Sequence, residues 1–157
     1  MFEPTARSAT PRRDTWIEFL NFIPWVFAGH FTFRYDMSET RATKLFTNYA
    51  DRSLGGWFGR PLVWMAVPEY TYMGRIHFHS HFLGVGHNRA HRVEAERYVL
   101  QQLWNYGHCK VETLYEPVGA LGYALKYAEG DFSQPVLSRS LREHLGRNQL
   151  NPLLRVN

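Results

Sequence analysis

The chain has 157 residues, enough for one domain that buries roughly two-thirds of its unfolded surface, and its single cysteine, Cys109, excludes an internal disulfide and a cysteine-rich zinc site. That cysteine usage suits a reducing, cytoplasmic compartment. Net charge is +4, and only three of the 18 basic residues are lysines, so the basic character is carried by arginine, whose planar fork matches phosphate oxygens. The opening "MFEPTARSATPRRDT" is polar and basic and reads as a flexible arm. The apolar run over 17–33 is broken by Glu18, Asn21, Pro24 and His30, so it cannot supply a membrane span. Within it, "WVFAGHFTFR" is rich in aromatic and β-branched residues and predicts a strand. "DMSETRATKLFTNYADRSLGG" predicts a helix with Ser38 as N-cap, Leu45, Tyr49 and Leu54 as apolar positions, and the glycine pair as its stop. "PLVWMAVPEY" and "RIHFHSHFLGV", joined by "TYMG", predict an antiparallel hairpin. A second helix is expected over 88–107, with Val93, Tyr98, Leu100 and Leu103 at mixed helical spacing, followed by the short strand "HCKVETLYE". "PVGALGYALKYAEG" begins with proline and closes with glycine as a short helix does. The segment 131–157 reads as a loosely packed tail.

The order β-α-β-β-α-β-α fits an α+β fold, a split βαβ (ferredoxin-like) antiparallel sheet with helices largely on one face. The chain divides into an arm and lead-in over 1–24, a core over 25–130 and a tail over 131–157, all one domain.

Within the core, "GRIHFHSHFLGVG" places three of the chain's eight histidines at every second position. On a strand, alternate residues share a face, so His77, His79 and His81 project together and Phe78, Ser80 and Phe82 project the other way. A lone sheet histidine is ordinarily just hydrogen-bonded, but an H-x-H pair on one face can chelate a metal. Glu69, at the end of the preceding strand, lies where the hairpin brings a carboxylate beside the imidazoles, giving two nitrogens and an oxygen with coordination positions left open. The second constellation is "GYALKYAEG". On a helix Tyr123 and Tyr127 lie one above the other, with Lys126 beside them. Alone, such tyrosines are ordinary amphipathic packing residues.

In combination and in this order, "HFTFR", "GRIHFHSHFLG" and "GYALKY" resemble the three motifs of the HUH endonuclease superfamily, specifically the rolling-circle replication initiators of plasmids and small phages. The resemblance spans residues 25–130. It implies the HUH nuclease type of split βαβ fold, with His77 and His79 as metal ligands, Glu69 as a third, polar ligand, and Mn2+ or Mg2+ as the cofactor. It further implies Tyr123 as the nucleophile, Lys126 as its accompanying lysine and Tyr127 as a second tyrosine. The overlapping H-x-H at His79 and His81 departs from the pattern and leaves the register of the ligand pair open. The implied activity is nicking and rejoining of single-stranded DNA at a replication origin through a 5′-phosphotyrosine, with a separate host helicase to unwind it. Arg12, Arg13, Arg139 and Arg142 are candidates for tracking backbone phosphates, or are solubilising charges.

Three rivals remain. A single-tyrosine transposase shares the motif order, whereas a conjugative relaxase has its tyrosine ahead of the histidines. His87 and His91 form a helical H-x-x-x-H spacing that, with His77 or His79, would make a zinc site. The chain could also be a DNA-binding module without chemistry.

Overall fold

The computed structural model describes residues 13–85, 90–115, 117–126 and 134–146. Five strands, β1 (Phe27–Thr32), β2 (Trp64–Tyr70), β3 (Ile76–Phe82), β4 (Cys109–Thr113) and β5 (Val136–Leu137), form one sheet in the order β4-β1-β3-β2-β5. All four pairings are antiparallel. The first four strands have the order of a split βαβ unit, and the fold is α+β as the sequence order implies.

One face carries the larger helices. It is built from Phe27, Phe31, Phe78 and Phe82, packed against Phe46, Tyr49, Leu54, Leu100 and Trp104 from α2 (Glu39–Thr47), the π-helical segment Asn48–Leu54 and α4 (Ala90–Gln102) with the turn that follows it. Each such side chain contributes about 1.5–3 kcal/mol by leaving water. Ser38 caps α2, its side chain accepting from the Arg41 N–H at 3.3 Å. The helical run does not stop at Gly55 and Gly56. It continues as α3 (Gly55–Phe58) and ends at Gly59, whose φ of 69° is the left-handed conformation glycine adopts without a Cβ penalty. The π-helical segment buries Tyr49 and Leu54 and aims the Tyr49 hydroxyl at the Leu100 carbonyl. Tyr98, expected among the apolar positions of α4, is exposed.

The opposite face is covered over only part of its width by three short helices: α1 (Arg13–Leu20), α5 (Pro117–Ala124) and α6 (Arg139–Gly146). Trp16, Leu20, Leu121, Ala124, Leu125 and Leu141 pack there against Trp25, Met65, Val67 and Leu137. Two expectations are corrected here. The arm yields to helix from Arg13 onward, because Trp16 and Leu20, one turn apart, both fill this smaller core. The segment read as a loose tail supplies β5 and α6. Ser138 anchors them, its hydroxyl accepting from Trp64 N at 3.1 Å and Leu141 N at 3.0 Å. Among the described residues no helix is long and apolar enough to cross a membrane.

Candidate active site

The incompletely covered face is the one to which β3 turns its histidines. Register sets their neighbours: on β1, His30 lies opposite His79 and Thr32 opposite His77, while on β2 Glu69 lies opposite His77 and Val67 opposite His79. Glu69 Oε2 is therefore 3.3 Å from His77 Nε2 and 2.6 Å from His79 Nε2. The His30 ring stacks on that of His79 with centroids 4.9 Å apart and meets that of His77 edge-on at 4.7 Å. One nitrogen from each of His30, His77 and His79 lies within 4.8 Å of the others. Reasoning from sequence misses His30 as a site residue. Its only signal is the alternation of "GHFTF", which puts His30 and Thr32 on one face, and nothing local pairs that face with His79.

Above these strands, α5 is seated by Leu121, Ala124 and Leu125 in the smaller core, and Arg13 Nη2 ties α1 to it by donating to the Gly122 carbonyl at 2.9 Å. Burying those three side chains leaves Tyr123 on the cavity side, 58% exposed, with its ring edge-on to His79 at 5.3 Å. The chain turns after α5, and Lys126 Nζ lies 4.2 Å over the Tyr123 ring and 3.6 Å from Glu69 Oε1. Glu69 thus faces two imidazoles with one oxygen and an ammonium with the other. Tyr127 lies outside the described residues.

Burial pushes His79 down to about 4, against the pull of Glu69 in the other direction. His30 is lowered by burial and then by His77. These two imidazoles are accordingly neutral at pH 7, the state in which a ring nitrogen can ligate a cation. With a carboxylate beside them and His77 Nδ1 buried without a partner among the described residues, the donors fit a divalent ion that accepts nitrogen and oxygen. His81 is different. It is 1% exposed, its ring meets Trp25 edge-on at 5.8 Å, and neither of its nitrogens has a partner among the described residues. Burial holds it at about 4 as well. Glu69 gathers His77 and His79, and His81 stands apart from that cluster.

These groups line a cavity of about 540 Å³ that extends over β1 and β4, past Ala28, Thr32, Lys110 and Glu112, where no helix covers the sheet. Arg13, Arg139 and Arg142 do not line it. Besides Arg13, Arg142 donates from Nε and Nη2 to the Leu137 carbonyl, and Arg139 pairs with Glu143 at 2.9 Å. Arg12 and His87 lie outside the described residues, as does the side chain of His91.

Fold and site together define an α+β protein of split βαβ topology, with a histidine–carboxylate cluster on an open sheet face and a tyrosine poised over it. The chain belongs to the ORF2 family of replication-associated proteins, whose family model matches residues 29–132, well over half its length. That span contains His30, Glu69, His77, His79, Tyr123 and Lys126. No curated protein and no solved structure matches the chain.

Proposed function

We propose that this protein initiates rolling-circle replication by nicking and rejoining single-stranded DNA, with Tyr123 as the nucleophile, as the likeness to HUH endonucleases implies. The observation that carries the reading is the meeting of Tyr123, Lys126 and the Glu69–His77–His79 cluster at one cavity. His77, His79 and Glu69 are the residues that would hold Mn2+ or Mg2+, with His30 as a further imidazole in reach. When bound, such an ion polarises the scissile phosphate and offsets charge developing on it.

A phenol of ordinary pKa near 10 is a weak nucleophile at neutral pH. The Lys126 ammonium over the Tyr123 ring offsets negative charge that develops on the phenol as it reacts. The Tyr123 oxygen gives up its proton to solvent and attacks phosphorus, the P–O3′ bond breaks, and the departing 3′ oxygen takes up a proton. The products are a 5′-phosphotyrosine and a free 3′-hydroxyl. Because the new phosphodiester preserves the old bond's energy, the 3′-hydroxyl can reverse the step and rejoin the strand. The substrate is unpaired DNA, exposed by a separate helicase. The match to replication-associated proteins supports replication over transposition.

The test is incubation with pooled single-stranded oligonucleotides and Mn2+, read on a denaturing gel. A covalent protein–DNA species that maps to Tyr123, disappears in Tyr123→Phe and is lost on chelation is the expected result. No adduct with any oligonucleotide, or an adduct only on another residue, overturns the assignment.

A further inference from the structure

A second cavity of about 440 Å³ opens beside the first and shares Thr32, Thr71 and His77 with it. Its other walls include Arg34, Arg75 and His108. The sheet register explains this. Thr32 pairs with His77, and the next same-face positions outward are Arg34 on the β1 side and Arg75 on the β3 side. Backbone bonds hold both beyond the formal strands: Arg34 N donates to the Tyr106 carbonyl at 2.7 Å, and Thr71 N to the Arg75 carbonyl at 2.8 Å. Gly107 closes the wall, where a Cβ would lie 2.2 Å from the Thr32 carbonyl oxygen.

Resting on the reading of the first cavity as a site for single-stranded DNA, the geometry points to a second subsite in which Arg34 and Arg75 bind the phosphate next to the scissile one. Two residues along a strand advance about 6.7 Å. That step is comparable with the spacing of successive phosphates along an extended single strand. One phosphate at His77 and His79 therefore sets its neighbour at the arginine row. Both guanidiniums are exposed, and Arg75 pairs with Asp36 at 2.8 Å on the surface. An exposed pair of this kind is worth little, so it gives way to a phosphate readily. Two forks on one phosphate supply parallel charge-assisted hydrogen bonds. Arg13, Arg142 and Arg139, from the arm and tail, are instead tied to the Gly122 and Leu137 carbonyls or to Glu143.

The experiment is a salt series of anisotropy titrations with labelled oligothymidylate, in EDTA so that no cleavage occurs. Arg34→Ala and Arg75→Ala are each expected to lower the slope of log K against log salt by about 0.7 and to weaken binding severalfold. Arg139→Ala is expected to match wild type. An oligonucleotide with uncharged methylphosphonate linkages should bind wild type and both variants alike. Melting curves confirm folding, and each single variant stands as a test by itself. Slopes equal to wild type, or an equal loss in Arg139→Ala, overturn the subsite while leaving the proposed activity standing. Wild-type protein that binds no single strand overturns both.

Discussion

On β3, Phe78 and His79 are neighbours in sequence and sit in opposite environments. Phe78 is fully buried, tilted against Phe46 and edge-on to Phe33, in a core sealed by the larger helices. His79 faces a cavity that three short helices only partly roof, among groups that can exchange protons or hold a cation. The aromatic face carries the stability that lets the other face keep polar groups half out of water, a state that costs free energy wherever a nitrogen lacks a partner. Mutating across that divide separates the two roles.

The largest contrast is expected between those neighbours themselves. Phe78→Ala should destabilise the fold by about 3–5 kcal/mol, a large part of a domain's whole stability, as read by denaturant unfolding. His79→Ala should leave the unfolding midpoint close to wild type and reduce cleavage at least about 100-fold. A His79→Ala protein that cleaves normally would remove the histidine cluster from the chemistry.

Gly107→Ala comes next, because its Cβ would run into backbone rather than a movable side chain. We expect a loss of about 2 kcal/mol or more, in the range of a severe overpacking. Wild-type melting of this variant would show that the Thr32 to Gly107 approach is not rigid.

The pH response sharpens the comparison further. His79 and His81 are held at about 4 in the folded chain against an ordinary 6.5. Between those values the unfolded chain binds protons that the folded one does not, so stability is fully present above pH 6.5 and is lost as pH falls toward 4. His81→Leu should make that acid loss shallower and should leave stability at pH 7 unchanged or higher by about 1 kcal/mol, since it removes two buried unpaired nitrogens. Melting temperatures of both proteins from about pH 8 to about pH 4 check this, and identical slopes would contradict it. The smallest effect belongs to Arg139→Ala. Its pair with Glu143 is exposed, and removal should shift stability by under about 0.5 kcal/mol.

The alternation of "IHFHSHF" determined by itself that β3 would have an aromatic face and a histidine face, because a strand turns successive side chains to opposite sides. The short "TYMG" turn likewise fixed the hairpin that brings Glu69 opposite His77, and Ser38 fixed the start of α2. The helix stop at Gly59 was less legible, since Gly55 and Gly56 offer the same local signal and only the packing of Leu54 and Tyr49 carries the helical run past them. Tertiary structure alone decided that His30 joins His77 and His79, because the register between β1 and β3 is set by packing across a long separation in sequence. The same holds for Arg34 and Arg75, which meet only through that register. It also decided that His81 is buried against Trp25 rather than gathered with its two neighbours, and that the apparent tail closes the sheet edge. In each case the sequence specifies which side a residue faces, and the neighbour it meets there depends on how distant segments pack.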